Sequence, residues 1–391
     1  MEKIDERIPG IDLPLMSVSQ TRGVIRRSQL TDAPQRAESL DAYKVCRRND
    51  VVFNKMSIRA GAMGVAAEDG LVTYHYEVMR PREGTNPNFI AYLMKSSWFT
   101  EELIKRERGI GAGDQANVRT TEVPFSVLKT IDAYIPGYTT QCAIASYLDR
   151  ETARIDMLTE EQQRLIDMLR ERRRSVISSA LAPTDSWVRR RIKHIGETSL
   201  GKMLDAGRAV RDGDHLRPYV RAADVRADGS VNLVDLNEMP FSEAEMEVFD
   251  LRAGDVLLIE GGATVGRPGF MFDSAPGIAF QKTVNRLRVG PQADARFVYW
   301  SMLRLYESAY YANHYGAVSF VHLTGEKLRE IELYLPRLDE QRAIAVYLDE
   351  QTAKIDALIA ETVRFIELAR ERRAALITAA VTGQIDLREM A

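Results

Sequence analysis

The sequence predicts an α+β protein in which two globular units are separated by two long helices. Three observations carry that reading. Residues 128–180 recur 200 positions later without a gap. The recurrent part has helical periodicity. The stretches outside it hold short apolar runs between turn signals. A period of 200 far exceeds the roughly 20–50 residues of a solenoid unit, so the chain is one module used twice.

The repeat opens with Leu128/Leu328, Ile131/Ile331, Tyr134/Tyr334 and Pro136/Pro336. From Pro136/Pro336 to Ala180/Ala380, 22 of 45 pairs are identical, among them Gln141/Gln341, Tyr147-Leu148-Asp149/Tyr347-Leu348-Asp349 and Arg170–Arg173/Arg370–Arg373. Large apolar residues fall on a 4-3 spacing at Ile144, Leu148, Ile155, Leu158, Leu165, Leu169 and Val176. The second copy has Ile344, Leu348, Ile355, Leu358, Phe365, Ala369 and Leu376, and the slots between hold Glu151, Gln162 and Arg172 or Gln351, Thr362 and Arg372. An apolar seam every 3.5 residues is a coiled-coil pattern. Thr139 or Thr140 is expected to cap the first helix and Asp339 the second, with Pro183 and Gly383 as stops. About 42 residues at ~1.5 Å rise make a rod of roughly 60 Å. Matching interruptions suit pairing of the two rods with each other, in a direction the spacing leaves open. The run Arg170–Arg174 reads as a solvated, partner-facing end.

Length and composition bound the rest. The 391 residues allow two or three domains with cores of their own, and 45% apolar with 28% charged residues is ordinary for a globular chain. Cys46 and Cys142 stand alone, which favours a reducing compartment without disulfides or a zinc cluster. The N-terminus has no signal-peptide core, and no run reaches the roughly 18 apolar residues of a membrane span. The net charge of −3 gives no global basic signature, so DNA binding would need local positive charge.

The globular stretches 1–127 and 183–327 are not obvious copies, yet their punctuation agrees. Arg48–Phe53 and Ala253–Ile259 each read as a turn and a buried strand. Each leads to a glycine-bearing loop (58–64 and 261–267), a short helix (Phe89–Arg106 and Phe297–Tyr311) and a Gly-Ala loop (111–112 and 316–317). A shared scaffold with divergent surfaces suits one fold reading two targets. Residues 21–59 carry nine bases (Arg22, Arg26, Arg27, Arg36, Lys44, Arg47, Arg48, Lys55, Arg59) against four acids, a candidate phosphate-binding patch. The candidates for DNA contact are Arg26, Arg27, Asn54, Lys55, Arg59, Gln115 and Arg119 in the first unit. In the second they are Lys202, Arg208, Arg267, Gln281, Lys282, Ser319 and His322. Asn117 and Asn285 offer base-edge hydrogen bonds of the same kind.

Catalytic signatures are weak. Gly196–Met203 departs from a phosphate-binding loop where Met203 replaces the magnesium-holding hydroxyl. The Gly109-Ile110-Gly111-Ala112-Gly113 run follows a charged helical stretch rather than a strand, and reads as a loop. His75, His194, His215, His314 and His322 form no metal spacing. No catalytic residue and no metal ligand is expected.

The repeated segments carry a more specific signal. Pro336–Ala345, Tyr347-Leu348-Asp349 and Thr352–Leu358, with the tail Glu371–Asp386, resemble the conserved helices of type I restriction-modification specificity subunits. The first copy matches more loosely, with Gly137-Tyr138-Thr139-Thr140 where the second has Arg337-Leu338-Asp339-Glu340. The resemblance implies an α+β fold of two α/β target-recognition domains separated by two long helices forming an antiparallel coiled coil, pseudo-twofold symmetric. The implied divisions are 1–138 and 183–338 for the recognition domains, 139–182 and 339–382 for the spacer helices, and 383–391 for a tail. It further implies a non-catalytic cytoplasmic subunit whose domains each read half of a bipartite site in double-stranded DNA. Readers of one face of a duplex sit about one turn, ~34–36 Å, apart, which a helical pair can span. Its partners would be two methyltransferase subunits and the restriction subunits. S-adenosylmethionine and ATP with magnesium would reside on those partners and none on this chain. The alternative is a coiled-coil scaffold without DNA specificity. The first unit has 127 residues before its copied segment against 145 in the second, so its reader is expected to be trimmed at the N-terminus or to start upstream.

Overall fold

The computed structural model describes residues 1–32, 39–107, 123, 125–203, 213–315 and 322–385. The chain divides into two compact units, Met1–Arg164 with Thr362–Ala391, and Leu165–Glu361. The first contains β1 (Glu2–Ile4), β2 (Met16–Ser19), β3 (Gly23–Arg26), β4 (Lys44–Cys46), β5 (Val51–Asn54), β6 (Met63–Val65), β7 (Gly70–Val72) and β8 (Tyr76–Arg80). After them come α1 (Pro87–Lys95), α2 (Ser97–Glu107), α3 (Phe125–Leu128) and the long α4 (Tyr138–Ala180), which continues into the second unit.

The central sheet of the first unit has the order β1-β8-β5-β6, antiparallel throughout. Alternation along β5 shows why the run Val51-Val52-Phe53 is apolar on both faces. Val51 and Phe53 join the core under α1 and α2, while Val52 joins a second core with Met16, Val24, Cys46 and Val72. Each large side chain so buried contributes about 1.5–3 kcal/mol. The expected single helix Phe89–Arg106 is broken at Ser96. Its hydroxyl donates to Leu93 O at 2.7 Å and accepts from Phe99 N at 3.2 Å, closing one helix and opening the next.

The second unit contains β9 (Val188–Arg191), β10 (Gly196–Leu200), β11 (His215–Val220), β12 (Asn237–Phe241), α5 (Glu243–Phe249), β13 (Asp255–Ile259), β14 (Pro268–Phe270), β15 (Ala279–Phe280) and β16 (Val284–Val289). They are followed by α6 (Ala295–Glu307), α7 (Tyr310–Tyr315), α8 (Gly325–Glu330), β17 (Glu332–Leu335) and the long α9 (Leu338–Val381). Its central sheet, β10-β16-β13-β14, repeats the scheme. Val256 and Leu258 face one core, Leu257 and Ile259 the other. The near-miss phosphate loop is therefore strand β10, paired along its length with β16.

The scaffolds share a detail that identity alone hides. Asn49 and Gly254 both take left-handed φ values, 73° and 86°, at the turn into the central strand. The next residues, Asp50 and Asp255, are buried and accept from the backbone N–H of Arg47 and Arg252, each at 2.8 Å. Each carboxylate also receives a two-pronged arginine, Arg80 or Arg288, from the neighbouring strand.

The long helices start at Tyr138 and Leu338, so Thr139, Thr140 and Asp339 lie inside the first turn instead of capping it. Gly383 ends α9 at φ 76°, and Gln384 N donates back to Ala379 O. The seam differs from the expected one. Leu158, Leu165, Leu358 and Phe365 are exposed. The positions buried or half-buried in both copies are 141, 144, 145, 148, 151, 152, 155, 159, 162, 166, 169, 173, 176, 177 and 180, and the same set plus 200. Ile144, Leu148, Ile155 and Leu169, and Ile344, Leu348, Ile355 and Leu376, are buried or half-buried. Counting large apolar residues misplaced the middle of the seam because polar residues occupy it. Thr152, Thr159 and Thr352 return their hydroxyls to the carbonyl four residues back, at 2.7, 2.9 and 2.7 Å, which removes the cost of burying them.

Candidate nucleic-acid interface and its helical frame

In each unit the long helices form a frame to which the globular part is anchored, and the anchors recur 200 residues apart. Gln141 is buried. Its Oε1 accepts from Asn86 N at 2.9 Å, and its Nε2 donates to Pro136 O at 2.8 Å and Gly84 O at 3.1 Å. Gln341 repeats this with Asp294 N and Pro336 O, both at 2.8 Å. Asn86 and Asp294 are the N-caps of α1 and α6, so one buried amide fixes the start of the helix that packs under each sheet.

About two turns along, Asp149 accepts from the Tyr92 hydroxyl at 2.7 Å, and Asp349 accepts from Trp300 Nε1 at 2.9 Å and Arg296 Nε at 2.8 Å. Burial, and then the neighbouring carboxylate Asp149, push the Tyr92 phenol up to about 12, with the Thr152 hydroxyl opposing, so it remains a donor. Arg296 also stands 4.3–5.0 Å from the ring centroids of Phe270, Phe272, Tyr299 and Trp300.

The arginines of the repeated Arg-Glu-Arg-Arg run tie helix to helix. In the first unit Arg373 of α9 meets Asp156 of α4 at 2.8 Å. In the second unit Arg173 of α4 meets Asp356 of α9 at 3.0 Å and Glu307 at 3.3 Å. Each unit thus pairs an early part of one helix with a late part of the other, which is antiparallel pairing. The run is a frame contact at its fourth residue and not solely a solvated end.

The candidate DNA contacts fall into four groups. Gln115, Arg119, Arg208 and Ser319, with Arg36 and Asn117, lie outside the described residues. A second group is committed to the fold. Lys202 donates to Pro240 O and to Glu245 at 2.7 Å each, and lies 4.5 Å over the Phe241 ring. Arg267 donates to Val225 O at 2.6 Å, and Asn285 is fully buried with its amide on Leu323 O. A third group loses its charge to acids distant in sequence. Arg26 is held two-pronged by Glu68, Lys44 is buried against Glu77, and Arg47 spans Glu6 and Asp69. Lys55 stands 4.0 Å from Glu77. Four of the nine bases of the patch, Arg26, Lys44, Arg47 and Lys55, thus face acids at 6, 68, 69 and 77 that a count within 21–59 misses.

The remaining candidates gather on loops beyond the central strands. In the first unit Asn54 at the end of β5 and Arg59 after it stand on either side of the ion-paired Lys55, where Asn54 Oδ1 accepts from Met56 N at 3.0 Å, and Arg27 lies half-buried after β3. In the second, Gln281, exposed Lys282 and exposed His322 come together around Glu260. Glu260 N donates to Thr283 O, Leu323 N donates to Glu260 O, and the His322 ring lies 3.2 Å from the Glu260 carboxylate. The loops after β5 and β13 follow equivalent strands and carry different polar side chains.

Residues 184–364 match the family model of the type I restriction modification DNA specificity domain. No curated protein matches the chain. Among solved structures, the chain is similar to one determined in work on complex assembly and conformational transition of the type I R-M system, with TM-score 0.73, 16% identity, and 98% of this chain and 95% of the other covered. It is also similar to the HsdS subunit from Thermoanaerobacter tengcongensis, with TM-score 0.57 and the same identity and coverage. The family match falls almost wholly on the second unit, and the fold of the whole chain is that of these solved structures.

Proposed function

We propose that the two units read the two halves of an asymmetric DNA sequence, while α4 and α9 set the spacer between the halves and dock two methyltransferase subunits. The observation that carries this reading is the recurrence of the frame anchors at 141/341, 149/349 and 173/373 beneath loops that differ in sequence. Identical mounting with different loops is what a bipartite, asymmetric reader needs. The reading segments are the end of β5 and the loop after it with Asn54, Lys55 and Arg59, joined by Arg27 after β3, in one unit, and in the other the β15–β16 turn with Gln281 and Lys282, joined by His322 before α8, beside Glu260 at the end of β13.

Docking is supported by apolar side chains the frame leaves exposed. They are Met157, Leu158, Leu165 and Met168 on α4, and Leu358, Val363, Phe365 and Leu368 on α9. Rows of this kind mark partner surfaces. In this reading the chain performs no catalysis. S-adenosylmethionine is held by the methyltransferase subunits and ATP with magnesium by the restriction subunits, and the complex works in the cytoplasm. Among the described residues no helix is long and apolar enough to cross a membrane.

The test is to co-express the chain with its methyltransferase partner and read the methylated sequence. Exchange of the loop after β5 is expected to change one half-site only. Inserting four residues, about one turn, into α4 is expected to change the spacer and neither half-site. Methylation without sequence preference would leave a scaffold without DNA specificity, and an unchanged spacer would remove the ruler.

A further inference from the structure

In the first unit the β2–β3 hairpin, β6, α1 and the two long helices line a cleft of about 250 Å³. Its wall includes Arg22, Asn88, Tyr92, Lys95, Asp149 and Arg373, three cations to one carboxylate. Gly23 and Gly64 close one side, where a Cβ on Gly64 would lie 2.9 Å from Gly23 Cα. Lys95, the last residue of α1, is half-buried and makes no hydrogen bond or ion pair with another described residue. Arg373 and Asp149 are already engaged, by Asp156 and Tyr92. Desolvation, and then Arg373, hold the Lys95 ammonium below its usual pKa, with Asp156 opposing, so the site favours a compensating negative charge.

The second unit has discharged the same place. Aligning α1 and α6 on their N-caps Asn86 and Asp294 sets Tyr92 against Trp300 and Lys95 against Leu303, which is buried. There Arg173 faces two carboxylates, Asp356 and Glu307, where Arg373 has Asp156.

We propose that the first-unit cleft is a phosphate-binding subsite, with Lys95 and Arg22, whose guanidinium donates to Gln29 O at 3.1 Å and keeps its charge unpaired among the described residues, as its cations and the Asn88 amide and Tyr92 edge shaping it. Ammonium and guanidinium groups at a partly desolvated cleft bind phosphate oxygens through charge-assisted hydrogen bonds. The phosphate belongs either to a DNA backbone or to a small phosphate compound. The assignment stands apart from half-site reading, since the small-molecule arm of the test involves no DNA.

The full chain is titrated with inorganic phosphate and with ATP by calorimetry, and with a random-sequence duplex at several salt concentrations. Wild type is compared with Lys95→Leu, the second unit's residue, with Lys95→Arg, and with Arg22→Gln on the exposed hairpin, which leaves the core untouched. A small-molecule source is supported if phosphate or ATP binds and Lys95→Leu and Arg22→Gln each weaken it at least fivefold while Lys95→Arg retains it. A backbone source is supported if only the duplex responds, the slope of log affinity against log salt falling by about one for each charge removed. If neither small-molecule binding nor the salt slope differs between wild type and Arg22→Gln or Lys95→Leu, Lys95 is merely a buried amine and the subsite does not exist.

Discussion

The two units solve one anchoring problem with different chemistry. At the first frame carboxylate, Asp149, a tyrosine hydroxyl suffices. At the second, Asp349, a tryptophan N–H and an arginine ringed by four aromatic side chains converge. The helix arginine follows suit, with one carboxylate in the first unit and two in the second. The frame side of each contact is identical in the two copies, while the globular side differs. The second unit is also the one that the family model matches.

This contrast makes stability predictions that can break it. The largest effect is expected at the aromatic anchor. Trp300→Ala removes a buried ring, leaves Asp349 one donor short, and should cost about 3–5 kcal/mol. Tyr92→Phe, losing one hydroxyl contact on a half-buried ring, should cost about 1 kcal/mol. Hydrogen exchange resolved by unit is the measurement, and equal losses in both units would erase the asymmetry. Next come Gln141→Ala and Gln341→Ala. Each strands a helix-cap N–H and a proline carbonyl, at about 1–3 kcal/mol by denaturant unfolding. Here the expectation is equality within about 0.5 kcal/mol, and a large difference would mean the mounts are not equivalent. Smallest are the helix ties. Arg173→Gln should cost up to about 1 kcal/mol and Arg373→Gln less, since both pairs are partly solvated. The order should disappear in high salt.

Much of the fold was legible. The gapless repeat announced the paired frame, and the shared turn before Val51 and Val256 announced a common scaffold. Two kinds of inference failed for physical reasons. Apolar spacing put Leu158, Leu165, Leu358 and Phe365 into the seam, when threonines and glutamines with satisfied hydrogen bonds occupy it. Charge counting put Lys44, Arg26 and Arg47 on a DNA face, when acids far along the chain fold back to neutralise them. Lys202 and Asn285 looked like surface polar groups, and strand pairing turned both inward. Gln141/Gln341 and Asp149/Asp349 were visible as identities, but no pattern within the sequence says that one holds a helix cap and the other an anchor.

Periodicity and repetition are local properties of a chain, so residue order alone determined that there would be two helices, two units and one scaffold used twice. Which charges survive at the surface depends on pairs formed across 22 to 42 positions, as between Arg47 and Asp69 or Arg26 and Glu68. Ion pairing is settled by distance in space, and only the folded arrangement supplies that distance.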